Sequence, residues 1–172
     1  STVSCAKPLT NQGTIELIPE IGSRGTPLLS VTTGGLANEA GGVVRSTGGP
    51  TAAISRIGCP INSAGSIDVE APLELTAEGV IHTNTGVVSA IQAPLLVTGA
   101  QSFDNAGDVL VADPGGLQFT GTPFRNLQAG TLSGTGTVVV GDDGVENAGT
   151  ISPGASAGNL LIDGDLALTA TS

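Results

Sequence analysis

Methionine, tryptophan and tyrosine are absent from this chain of 172 residues, and phenylalanine occurs only three times. A compact globule leans on large side chains to fill its centre, so a thick single core is excluded and a thin, repeating one is favoured. Basic residues are also scarce, five against 15 acidic. Without a basic stripe, neither nucleic acid nor an anionic lipid surface is a fitting partner. No stretch approaches the ~20 uninterrupted apolar residues that a membrane-spanning helix requires, so direct membrane insertion is not expected. Helix itself is nearly excluded. Glycine and proline recur too closely for it, and no stretch places apolar residues at i, i+3, i+4 and i+7.

What the chain does have is a recurring motif: Asn, a short gap, Gly, any residue, then an aliphatic. It reads N-Q-G-T-I from Asn11, N-E-A-G-G-V from Asn38, N-S-A-G-S-I from Asn62 and N-T-G-V-V from Asn84. It continues as N-A-G-D-V from Asn105, N-L-Q-A-G-T-L from Asn126 and N-A-G-T-I from Asn147. The motif glycines stand at 13, 41, 65, 86, 107, 130 and 149, so the steps are 28, 24, 21, 21, 23 and 19 residues. Seven copies at such a period predict a solenoid of stacked coils.

One coil shows the contents. In residues 65–85, Ile67 and Val69 alternate with polar neighbours, Pro72 interrupts, Leu73 and Leu75 alternate again, and Val80-Ile81 precede the next Asn corner. Period-two alternation marks a strand with one buried face. The coils from Gly86, Gly107 and Gly130 repeat this, with Phe103, Phe119 and Phe124 at core positions. The prediction is an all-β parallel β-helix of about seven coils, each of 19–28 residues and three short strands. Residues 1–12 read as a lead-in or cap, and 13–172 as a single solenoid domain. The two earliest coils are longer, with the excess expected in turns, where added length costs little. The last coil ends in L-A-L-T-A-T-S, read as an uncapped, strand-like end.

Asn38, Asn62, Asn84, Asn105, Asn126 and Asn147 are expected to form a ladder at one corner, because a carboxamide can both donate to and accept from its copies above and below. The motif glycines are expected to supply positive φ at that corner. Binding of sugar or metal by the Asn row is the alternative. Cys5 and Cys59 suit an oxidising compartment if they pair. They lie two coils apart, nearly ~10 Å, beyond the ~7 Å that a disulfide spans. The lead-in is therefore expected to fold back to bring them together, and a bond between chains or two buried thiols are the alternatives.

The segment from Gly130, G-T-L-S-G-T-G-T-V-V-V-G-D-D-G-V-E-N-A-G-T-I-S-P-G-A-S-A-G-N-L-L-I-D-G-D, resembles the repeats of bacterial autotransporter passengers and related haemagglutinin-like secreted proteins. That resemblance covers about 40 residues closely. It implies a right-handed parallel β-helix displayed outside a Gram-negative cell, for adhesion, a surface coat or the presentation of other domains. The membrane-embedded barrel of those proteins is missing from this sequence. The opening S-T-V-S-C, without initiator Met, also fits a processed secreted protein.

Residues for chemistry are few. His82 is the only histidine and reads as a surface or turn residue without triad partners. Asp142 and Asp143 in G-D-D-G, like Asp163 and Asp165 in D-G-D, could hold calcium or act as paired acids on a polysaccharide, but both sequences are also good tight turns. Beyond residue 65 only Arg125 is available as a cationic partner. Thr follows the motif Gly in only three coils, at Thr14, Thr131 and Thr150, too irregular for an ice-binding face.

Charge is divided along the chain. Residues 1–65 hold Lys7, Arg24, Arg45 and Arg56 against Glu16, Glu20 and Glu39, a net of +1, whereas 66–172 hold 12 acidic residues against Arg125, a net of −11. The expectation is a non-enzymatic structural or adhesive solenoid at a bacterial surface, with no cofactor, associating head to tail. The alternatives are a carbohydrate-active or glycan-binding β-helix, and a passenger fragment presenting another functional region.

Overall fold

The structure is a computed structural model that describes residues 1–19, 26–49, 52–154 and 158–169. Glu20, Arg24, residues 155–157 of the S-P-G-A-S-A-G stretch and the final residues 170–172 lie outside the described residues.

Each coil contributes one strand to each of three faces. The first coil is β1 (Thr2–Cys5), β2 (Leu9–Asn11) and β3 (Thr14–Leu17). The second is β4 (Leu28–Val31), β5 (Leu36–Asn38) and β6 (Val43–Ser46), and the third β7 (Ser55–Ile57), β8 (Ile61–Ser63) and β9 (Ser66–Val69). The fourth is β10 (Leu73–Leu75), β11 (Ile81–Asn84) and β12 (Val87–Ala90), and the fifth β13 (Pro94–Thr98), β14 (Ser102–Asn105) and β15 (Asp108–Val111). The sixth is β16 (Gly116–Thr120), β17 (Phe124–Asn126) and β18 (Thr131–Gly134). In the seventh, β19 (Thr137–Asn147) runs through the corner to serve two faces, and β20 (Thr150–Ser152) supplies the third. β21 (Leu161–Leu168) starts a further layer on β19.

Every neighbouring pair is parallel. The first face runs β1-β4-β7-β10-β13-β16-β19, the second β2-β5-β8-β11-β14-β17-β19 and the third β3-β6-β9-β12-β15-β18-β20. The chain is a parallel β-solenoid of about seven turns, as its periodicity predicts. Residues 1–12, read as a lead-in, carry β1 and β2, which stack in register on β4 and β5. Coil-length variation gathers at the corner between the third and first faces. That corner spans residues 70–72 in the third coil, 112–115 in the fifth and only 135–136 in the sixth.

The core is a set of vertical columns. On the third face Ile15, Val44, Ile67, Val88, Val109, Leu132 and Ile151 stack in register. On the first face the column is Ser55, Leu73, Leu95, Leu117 and Val138. Side chains between them point outward, which is why these strands alternate in sequence. Fully burying one such aliphatic stabilises by about 1.5–3 kcal/mol, so each coil contributes a few such increments. The three phenylalanines sit in the fifth and sixth coils, with ring centroids 5.3–6.0 Å apart.

Candidate functional site

At the corner between the second and third faces, an inward row reads Asn11, Asn38, Ser63, Asn84, Asn105, Asn126, Asn147. Each Asn is buried, and all but Asn147 pass a side-chain hydrogen bond to the next coil. The Nδ2 of Asn11 donates to Asn38 Oδ1 at 2.8 Å, that of Asn84 to Asn105 at 2.8 Å, and that of Asn105 to Asn126 at 2.8 Å. Asn126 donates likewise to Asn147 at 2.7 Å. The same nitrogens reach backbone carbonyls where the next coil's third-face strand begins, as Asn38 does to Ser66 at 3.0 Å. The Oδ1 atoms of Asn11, Asn84 and Asn105 also accept their own turn's glycine amide, as Asn105 does from Gly107 at 3.2 Å. The row thus clamps two faces together across successive coils. Its polar atoms are engaged within the wall.

Two sequence expectations change here. Asn62 is not in the row: it is exposed, and Ser63 takes the inward position, accepting from Asn38 Nδ2 at 3.0 Å. The inward residue lies two before the glycine in most coils. Ser63-Ala64-Gly65 has that spacing and Asn62 does not. Asn11, outside the expected set of six, belongs to the row. The glycines also differ in role. Gly65, Gly86, Gly107 and Gly149 are not among the positive-φ positions. A Cβ on any of them would run into a carbonyl oxygen of the preceding coil's turn, for example Gly86 O at Gly107. Close stacking of turn on turn, rather than left-handed backbone, requires glycine there.

The cysteines are free. Cys5 pairs with Val31, and continuing the register two residues beyond Leu29↔Ile57 brings Val31 level with Cys59. Val31 therefore separates the two sulfurs, and the expected fold-back does not occur because β1 stacks directly on β4. Burial pushes the Cys59 thiol above its ordinary range.

His82 is not at the surface. It is fully buried in the second-face column Leu9, Leu36, Ile61, His82, Phe103, Phe124, Val145, 6.5 Å from the Phe103 ring centroid. Its Nδ1 accepts the Ile61 amide at 3.3 Å, and its Nε2 has no partner. Burial among apolar groups lowers its pKa from 6.5 to about 4. Alternation counted back from inward Asn84 would have placed it inside.

Asp142 and Asp143 lie in the stretch of β19 that rounds the corner. Asp143 Oδ2 accepts the Thr122 amide at 3.1 Å, holding the turn of the coil below. No cluster of three or more metal-ligating side chains occurs among the described residues. Asp163 and Asp165 lie on β21, with Gly164 at positive φ between them. The charged side chains of the walls bridge coils: Arg45 with Asp68 at 3.0 Å and Glu70 at 3.4 Å, Arg56 with Glu74 at 2.7 Å, Arg125 with Glu146 at 3.0 Å.

The two ends differ from the walls. Val3 is 61% exposed and Ile18 56% in the first coil, and Leu161, Leu166 and Leu168 on β21 are 50%, 44% and 74% exposed. These five exceed every other large apolar side chain described, the next being Val87 at 42%. On the first coil they border a hollow of about 400 Å³ lined by Val3, Cys5, Leu9, Ile15 and Leu17. Comparison with protein-family models, curated proteins and solved structures returns no match.

Proposed function

We propose that this chain is a non-enzymatic structural or adhesive solenoid of a bacterial surface, secreted and joined end to end with further copies of itself. The concentration of exposed apolar side chains in the first and last layers carries this reading. A β-edge with an apolar layer beneath it is a template for another strand layer. Two complementary but different ends make a heterologous contact, which extends into a line rather than closing. The charge division supports the same polarity, since a slightly basic N-terminal region meets a strongly acidic C-terminal one. Wall charges tied up in ion pairs between coils suit a rod whose sides stay solvated. The likeness of the segment from Gly130 to autotransporter-type repeats supports the surface setting.

Val3→Asp and Leu168→Asp each place a charge in one end. In sedimentation velocity the unaltered protein should form a concentration-dependent series of oligomers. Each variant alone should be monomeric. An equimolar mixture should form a one-to-one dimer, because one variant retains a sound first layer and the other a sound last layer. A monomer at every concentration of the unaltered protein sinks the reading, and dimers of either variant alone would show a head-to-head or side contact instead.

A further inference from the structure

Three features coincide at the junction between the third and fourth coils on the second face. The first is a missing strand pair. At the other junctions of this face the residues of the His82 column pair directly: Leu9↔Leu36, Leu36↔Ile61, His82↔Phe103, Phe103↔Phe124 and Phe124↔Val145. Between β8 and β11 pairing begins one residue later, at Asn62↔Thr83. There the Ile61 amide donates to the imidazole Nδ1 of His82, whereas the equivalent amides of Leu36 and Phe103 donate to the carbonyls of Pro60 and Pro123.

The second feature is a break in the side-chain ladder. Ser63 accepts from Asn38, but its own hydroxyl turns to Gly65 O in the same coil at 3.4 Å, so no side-chain rung joins Ser63 to Asn84. The third is a surface hollow of about 380 Å³ over this point, lined by Asn38, Glu39, Asn62, Ser63, Thr83 and Thr85. The other two faces are intact at the same level, with β7 on β10 and β9 on β12, and Arg56–Glu74 bracing the first.

We propose that the β8–β11 junction is an acid-opened seam: a proton on His82 Nδ1 parts the third and fourth coils along the second face while the other two faces hold. The step is a plain protonation. Neutral His82 carries its proton on Nε2 and accepts at Nδ1. With a second proton, Nδ1 becomes a donor facing the donor N–H of Ile61, and a cation sits against Phe103. Among the described residues no charged side chain faces it from the inward side. β8 has no ionisable side chain. Glu74 of β10, Asp68 of β9 and Asp108 of β15 alternate with inward residues and project outward, as does Asp104 of β14, whose Oδ1 is buried in the wall without a partner, and Cys59 before β8 is a buried thiol. Opening toward the hollow lets the imidazolium reach water. The lowered pKa is the same coupling seen from the closed side.

Hydrogen exchange followed by NMR tests the seam on the intact chain, whose single histidine gives one imidazole titration. From about pH 7 to about pH 4.5, protection of the Ile61 and Thr83 amides should fall between about tenfold and a hundredfold. Amides at the β14–β17 junction should change far less. His82→Gln keeps an acceptor that does not titrate, so its β8–β11 protection should stay level over the same range. The seam is overturned if wild-type protection there is unchanged, if His82 titrates near 6.5 with the strands still protected, or if the Gln variant loses protection as the wild type does. Should that variant not fold, the wild-type titration and exchange decide alone.

Discussion

At the scale of single residues, His82 and the Asn row show what a thin core demands. A buried polar group is tolerated where its hydrogen-bonding capacity is met, and Asn84 meets most of its own by bonding its copy, its turn and the next coil. His82 meets half of its own. The consequence for stability has a definite sign. Folding holds the imidazole neutral down to about 4, while the unfolded chain protonates near 6.5. Full stability is therefore present above pH 6.5 and is lost as pH falls toward 4, by a total of about 3 kcal/mol. Urea unfolding at intervals across that range should show the loss, and His82→Gln should remove most of it. A wild-type stability independent of pH over that interval would contradict the buried, neutral assignment.

Elements in this fold are weak alone. A strand of three or four residues gains stability only through the layers on either side, so the junction is the natural unit of energy. Junctions differ in how many rungs they carry. Between β14 and β17 there are three backbone pairs, an Asn–Asn bond and two stacked phenylalanines. Between β8 and β11 there are two backbone pairs and no side-chain rung on the inward row. Ser63→Asn would supply the missing rung, since Asn holds the equivalent inward place in the coils on either side. The expected result is a gain of about 1 kcal/mol in chemical denaturation, with slower exchange of the Ile61 amide. No gain, or a loss, would show that the space beside Asn84 is already filled. Ion pairs matter less at this scale: Arg56 and Arg125 are 44% and 38% exposed, and half-solvated pairs contribute at most about 1 kcal/mol.

For the whole molecule, the walls and the ends follow different physics. The walls are strands already paired above and below, with most of the basic residues bonded across coils. The first and last described layers carry the most exposed apolar side chains. A net charge of −10 makes copies repel at long range, whereas contact at the ends buries apolar area. In the proposed end-to-end assembly, added salt should therefore strengthen association, as repulsion is screened beyond about 10 Å at 0.1 M while apolar burial is not weakened. Light scattering at low and moderate salt would check this. Association that disappears as salt is added would mean that ion pairs, not apolar layers, hold the ends.

Much of this was legible in the sequence. The Asn-x-Gly recurrence fixed the number of coils, the alternation fixed three strands in each, and the core places of Phe103, Phe119 and Phe124 followed from the same pattern. These are local periodicities, and a solenoid turns local periodicity directly into architecture, because each coil packs only on its neighbours. Inward or outward orientation at a one-residue step was not local. Asn62 against Ser63, and Ile81 against His82, depended on which register the adjacent coils imposed, and a slip of one residue reverses every side chain. The same stacking placed Val31 between Cys5 and Cys59, and pressed Gly86 so closely on Gly107 that no Cβ fits. Composition and spacing alone determined that the chain is a solenoid with an Asn-lined corner. Only the tertiary structure decided which residues face inward at the β8–β11 junction, because that choice belongs to the contact between coils and not to either coil alone.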